Sequence, residues 1–361
     1  MVVRDYFYSL LMRSIGFPHR IASAFSNKLR SYQERYTILI SGAPRSGTTF
    51  FSEVLLTLPK YRDSFEPLNP PNSPRWRKVC YSKFELCSIL ESAFRPYLRI
   101  DEEDSEVCKY LSDVFRGRTL LTNAPAPLAV LVQKGYSLET KINSLMKTLK
   151  NIIYPPVVKV VRGNRLLPWI AKRFKLRGIY MIIRHPCATI ASQLRTGAGV
   201  PKLPPSTLKK LLIYEIYRIA ELNQSSEIVK KLDNINTMVE ALAAIWALDY
   251  YIPLYYRRYG WWYTVVYEKL VLEGMKELKN IFQHINEGVP REATKTLRRY
   301  SVTAWVKKEV VEDPRELLGK WKKKLSKKQI NNILKVVHWF GLDFYTEDLE
   351  PDYDALKDWK P

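Results

Sequence analysis

Cysteine is scarce in this chain: four in 361 residues, at Cys80, Cys87, Cys108 and Cys187. None falls in the close pairs that a zinc site needs, and a chain this long folds without disulfides. A Cys80–Cys87 bridge is one option, but reduced thiols in a cytoplasmic setting are the expected state. Long apolar runs are missing as well. The best candidate, residues 237–260, is interrupted by Glu240, Asp249 and Pro253, so it reads as a buried helix and not as a membrane span. The first twenty residues hold a short apolar patch broken by Arg4, Asp5 and Arg13, with no clear secretory core or cleavage site. A helix on the domain edge is expected there, with a basic amphipathic helix touching a membrane as the alternative. Internal repeats and low-complexity tracts are absent too.

Acidic residues are the minority charge. Against 36 Asp and Glu stand 58 Lys and Arg, a formal net charge of +22. Such an excess favours anionic partners: a nucleotide, acidic glycans, a membrane surface or nucleic acid. No zinc finger, helix-turn-helix or aromatic RNA-recognition motif accompanies it, so nucleic acid is not the expected partner. What the chain does have is 46% hydrophobic and 12% aromatic content, enough for one large core.

Five short apolar segments, 37–41, 61–65, 157–161, 178–183 and 263–267, read as strands buried on both faces. Helical patterns at 48–58, 164–174, 187–195 and across most of 208–259 separate them. The alternation predicts an α/β fold with a P-loop-type central parallel sheet flanked by helices. The division expected is a basic N-terminal helical segment (1–35), a single domain (36–350) with helical insertions around 69–150 and 197–206, and a short tail (351–361). The cluster 320-KWKKKLSKK-328 reads as a solvated helix face.

The first strand runs into 42-GAPRSGTT-49. This is the outline of a phosphate loop, but Thr48 stands where a nucleotide hydrolase carries lysine, and the loop's cation is Arg45. Glycines let such a loop curl around an anion, and the following helix aims its first amides at it. Ligands of open α/β sheets bind beyond the carboxyl ends of the strands. That edge should present the loop with Glu66, Lys159 and Arg184. Two readings other than the one developed below stay open: a P-loop kinase or hydrolase, and a basic nucleic-acid-binding protein.

Several segments, in order, resemble sulfotransferases that use 3′-phosphoadenosine 5′-phosphosulfate (PAPS), closest in style to carbohydrate (Golgi-type) members. PRSGTTF (44–50) resembles their 5′-phosphosulfate loop, and IYMIIRHPCATIASQL (179–194) their 3′-phosphate motif, with Ser192 eight positions after Arg184. VVKVVRGNRLLPWIAKRF (157–174), YTVVYEKLV (263–271) and the region 320–345 are similar to further family segments. The resemblance implies a transferase that moves the sulfuryl group of PAPS to a hydroxyl or amine of a glycan or glycolipid, releases PAP, and needs no metal. It implies that Arg45, Ser46, Gly47, Thr48 and Thr49 cradle the 5′ end, with Phe50 near the adenine or simply in the core. Arg184 and Ser192 would hold the 3′-phosphate. Glu66, in SFEP, would be the base. Lys159 would contact the departing oxygen or serve a structural ion pair. Two departures stand out. Val161 replaces the histidine that small-molecule sulfotransferases place after this lysine, which throws more weight on Glu66. The usual C-terminal Arg-Lys-Gly is also missing, leaving Lys307, Lys308, Lys320 and Lys322 as candidates for nucleotide contact.

Overall fold

The computed structural model describes residues 32–70, 73–84, 96–116, 154–222, 225–297 and 313–360. Expectations for residues 1–31, for much of 69–150 and for Lys307 and Lys308 lie outside these segments. Five strands, β1 (Ile38–Gly42), β2 (Arg62–Phe65), β3 (Pro156–Val160), β4 (Gly178–Ile183) and β5 (Tyr263–Val266), form one sheet in the order β2-β3-β1-β4-β5, every pair parallel. β1 therefore lies at the centre, and the loops leaving β1, β3 and β4 emerge side by side.

Strand alternation divides the interior in two. Leu39, Val158, Val160, Ile179, Met181 and Ile183 enter one core; Ile38, Ile40, Val157, Tyr180 and Ile182 enter the other. By the same alternation Lys159 faces the second side. There it meets α1 (Thr48–Leu55), whose Phe50, Phe51, Val54 and Leu55 belong to that core.

The peripheral helices follow from local signals. α2 (Pro74–Lys83) and α3 (Ser105–Phe115) are capped by Ser73 and Asp104. A 3-10 turn, Asn164–Leu166, leads into α4 (Leu167–Arg173). α5 (Pro186–Thr196) starts with proline at its first turn and stops at Gly197, in the left-handed region. The segment 208–259 resolves into α6 (Pro205–Arg218), α7 (Ser225–Leu232) and α8 (Met238–Tyr256). α8 opens on a Thr237–Glu240 capping box and is buried from Ala241 to Leu254, as its mostly apolar sequence requires. Its one buried acid, Asp249, accepts from Arg165 Nε at 3.1 Å, and Arg165 also pairs with Glu215 at 3.4 Å. After β5 come α9 (Tyr267–Leu272), α10 (Gly274–His284) and α11 (Arg291–Leu297), then α12 (Pro314–Gly319), α13 (Lys327–His338) and α14 (Tyr353–Asp358). Among the described residues no helix is long and apolar enough to cross a membrane.

Two expectations are corrected. Cys80 is disulfide-bonded, whereas Cys108 and Cys187 are free. The 320–328 cluster is not one helix face: residues 320–325 form a turn that buries Trp321 and Leu325, and helix resumes only at Lys327, capped by Ser326. Trp321 and Leu325, four positions apart within the lysine run, are what anchor that turn.

Candidate active site

The loop after β1 has no room for side chains at its glycines. A Cβ on Gly42 would lie 2.6 Å from Ser46 Oγ and from Thr48 Cγ2. On Gly47, where φ is 97°, it would lie 2.4 Å from the Tyr267 ring. Arg45 is also left-handed, at φ 71°. Ser46 donates twice to the Ala43 carbonyl, from N at 3.1 Å and from Oγ at 2.7 Å, closing the turn. Neighbouring elements brace it. Ala43 N donates to Tyr250 Oη (3.2 Å), Tyr250 Oη donates to the Ile182 carbonyl (2.9 Å), and Gln193 Nε2 donates to the Pro44 carbonyl (3.0 Å). Gly47 is the N-cap of α1 and offers no side-chain cap, so the first-turn amides are left for a ligand.

Three guanidinium groups gather at this turn. Arg45 Nε donates to Ser192 Oγ at 3.0 Å, and Arg184 Nη1 donates to the Arg45 carbonyl at 3.2 Å. Arg184 stacks over Tyr267, 4.3 Å from the ring centroid, and its buried Nε has no partner among the described residues. Burial holds the Arg45 pKa below its ordinary value, and the charges of Arg195 and Arg184 lower it further; Glu66 opposes them. Such crowding of like charge is relieved by an anion.

Across the loop, Lys159 Nζ donates to Thr49 Oγ1 at 2.9 Å and pairs with Glu66 Oε1 at 3.2 Å. The Phe65 ring centroid is 3.4 Å from the same Nζ. Lys159 is 1% exposed, and burial lowers its pKa while the Glu66 charge holds it up. Glu66 Oε2 accepts from Asn69 Nδ2 at 3.3 Å and lies 3.9 Å from Arg162 Nη1. Glu66, at φ 46°, continues the ladder by donating N–H to the Lys159 carbonyl at 2.9 Å.

A second layer supports Arg184. His185 is buried, stacked on Trp321 (4.6 Å between centroids) and edge-on to Tyr345 (4.9 Å). Its Nδ1 accepts from Cys187 N (3.1 Å), so Nε2 donates to the Thr346 carbonyl (3.0 Å), and burial drives its pKa down to about 3. Glu268 accepts from His185 N (2.9 Å) and Tyr345 Oη (3.1 Å), and its burial raises the carboxyl pKa to about 7. The 197–206 connection touches the loop directly: at Gly199, φ 82°, a Cβ would lie 2.7 Å from Pro44 Cβ.

The sequence-predicted residues fall in two groups around α1. Arg45, Ser46, Gly47, Thr48, Arg184 and Ser192 stand on one side; Thr49, Lys159 and Glu66 on the other. Ser192 bonds Arg45 instead of Arg184. Phe50 is core, 6% exposed, with its ring edge-on to Tyr267 at 6.2 Å. Sequence reasoning passed over Arg195 and Tyr267. Arg195 lies three residues past Ser192 on α5, a spacing that shares one helix face. Tyr267 closes the YTVVY segment, where nothing in the pattern sets it apart from a core aromatic.

No protein-family model matches the chain, and no curated protein sequence matches it. Among solved structures it is similar to the sulfotransferase domain of the Synechococcus PCC 7002 olefin synthase, with 16% identity and a TM-score of 0.40 over 84% of this chain and 94% of that one. It is also similar to the sulfotransferase domain from the curacin biosynthetic pathway, at 16% and 0.38 over 83% and 96%. A third is sulfotransferase STF9 from Mycobacterium avium, at 14% and 0.36 over 88% and 78%. Scores this low add no weight to a functional reading, which rests on the site itself.

Proposed function

We propose that the chain is a sulfotransferase that takes the sulfuryl group of PAPS and passes it to a hydroxyl or amine of an acceptor, with a glycan or glycolipid as the favoured class. The observation that carries this reading is the meeting of Arg45, Arg184 and Ser192 at the uncapped start of α1, with no lysine in the loop. Two anionic groups fit there. The α1 amides with Ser46, Thr48 and Thr49 suit a 5′ group, and Arg184 with Ser192 suits a 3′-phosphate. Two features support the fit: Gly42 and Gly47 leave no space for a Cβ, and Arg184 Nε is buried without a partner. Bound PAPS would supply an activated sulfuryl group on a phosphate leaving group.

The chain's own residues do the rest. Arg45 and Lys159, one on each side of the loop, place positive charge where negative charge grows on the leaving oxygen. Thr49 fixes the Lys159 ammonium. Glu66, 3.2 Å from the same ammonium, is placed to accept the acceptor's proton.

Calorimetry without magnesium, comparing PAP with 5′-AMP, tests the reading, together with transfer of label from PAPS. PAP should bind at least about tenfold tighter, because a charge-assisted phosphate contact is worth about 1.5–3 kcal/mol. ATP binding that requires magnesium and ignores a 3′-phosphate would favour a kinase or hydrolase instead.

A further inference from the structure

We infer that Phe65 is the acceptor-positioning residue of this site, recognising a ring whose C–H or π face adjoins the reacting hydroxyl or amine. The inference rests on the sulfotransferase reading and extends it to the acceptor.

The argument begins with an exception to strand alternation. Neighbouring residues of a strand point to opposite faces. Phe65 ends β2 opposite Lys159, and its ring centroid lies 3.4 Å from Lys159 Nζ. Glu66 should point away, yet its Oε1 is 3.2 Å from that nitrogen. The left-handed backbone at Glu66, φ 46°, is what swings its carboxylate back beside the ring. A strained non-glycine conformation at such a point marks a geometry that matters.

The consequence is a half-exposed aromatic ring next to the candidate base. Phe65 is 50% exposed, although it belongs to a residue type usually buried. It stands on the edge strand of the sheet, with the exposed Asp63 two residues away on the same face. One part of the ring covers the Lys159 ammonium; the rest is open. Any hydroxyl delivered to Glu66 brings its carbon skeleton against that open surface. Two carboxylates border it, that of Glu66 beside the Lys159 ammonium and that of Asp63 on the same strand face. An apolar ring face bordered by hydrogen-bond acceptors suits a flat molecule carrying hydroxyls at its rim. Pyranosides and phenols share that chemistry; open-chain alcohols do not.

The test compares wild type with Phe65→Leu, which keeps apolar cover over Lys159, and Phe65→Tyr, which keeps the ring. Label transfer from PAPS is measured to methyl β-glucopyranoside, to 4-nitrophenol and to 1-hexanol. PAP affinity is read separately by calorimetry. Wild type should prefer one of the ring acceptors to hexanol, and which of the two distinguishes a sugar from a phenol. Phe65→Leu should lower the ring-to-hexanol ratio of kcat/KM about tenfold, mainly through KM, with PAP affinity unchanged and Phe65→Tyr restoring the ratio. Damage to Lys159 would slow all acceptors alike and cancel in the ratio. An unchanged ratio in Phe65→Leu with intact PAP binding overturns the role of Phe65 and spares the sulfotransferase reading. Failure of wild type to bind PAP overturns both.

Discussion

Glu66 and Lys159 form an ion pair with one another. The pair is 3.2 Å apart, with the lysine buried and the glutamate only partly so. Because Glu66 is the group that sustains the Lys159 charge against burial, removing it should be felt at both residues. Glu66→Gln is expected to lower kcat about 10²-fold or more while PAP affinity stays within about twofold. Single-turnover kinetics with labelled PAPS measures this, and an unaltered kcat would remove Glu66 from the role of base. Arg184 is a separate case, since it faces the other side of the loop. Arg184→Ala should weaken PAP by about 1.5–3 kcal/mol and leave 5′-AMP nearly unaffected. Equal losses for both nucleotides would place its effect in the loop it braces at the Arg45 carbonyl, not in a 3′-phosphate contact.

At the scale of elements, the start of α5 joins β4, β5 and the C-terminal segment through two buried titratable groups. His185 is held neutral, its pKa near 3 against an ordinary 6.5, so folding favours loss of its proton and this contribution to stability rises with pH across that range. Glu268 behaves oppositely. Its pKa is raised from 4.5 to about 7, so the folded state favours the proton and stability falls as pH climbs through that window. Between about pH 4.5 and 6.5 the slopes oppose each other, each at most about 1.4 kcal/mol per pH unit. Glu268→Gln removes one of them. Its melting temperature should therefore rise more steeply from pH 5 to pH 6.5 than that of wild type; parallel curves would show that Glu268 is already ionised in the fold. β1, β3 and β4 were legible because both of their faces are buried, which makes them nearly continuous apolar runs; β2 on the sheet edge alternates buried and exposed residues instead, yet all five strands lie within one or two residues of the expected segments. The 320–325 turn was not legible, because its lysines dominate the pattern while the stacking of Trp321 on His185 depends on a partner more than a hundred positions away. For the same reason the Arg45–Ser192 bond was missed: spacing brought Ser192 to Arg184, but only the packing of α5 against the loop could show which arginine it meets.

For the whole molecule, the sheet separates two apolar cores, and the larger one encloses charge. Arg165, Asp249 and Glu215 link the 3-10 turn after β3 to α8 and α6, and all three are buried. Breaking a buried pair leaves an uncompensated charge, so Asp249→Ala should cost about 3–5 kcal/mol. Urea unfolding would register this as a lower midpoint with an unchanged slope. Little or no loss would show that water reaches Arg165. The surface has a different consequence. A net charge of +22 raises the local concentration of any anionic ligand, so the association rate for PAP should fall as salt is raised from 50 to 500 mM. Stopped-flow binding would reveal a salt-independent rate if the excess charge lay far from the site.

The contact between Gly199 and Pro44 bears on how such a protein can diversify. Loops that select acceptors usually vary freely because they are remote from the reaction chemistry. Here the connection after α5 rests on the anion loop with no space for one additional carbon, at a φ that only glycine adopts without strain. If the sulfotransferase reading holds, residues 200–206 can vary with the acceptor, but a change at 199 also disturbs the anion loop at Pro44. On the sulfotransferase reading, donor and acceptor are thus coupled through a single hydrogen atom, and a library that varies this connection should hold that position fixed.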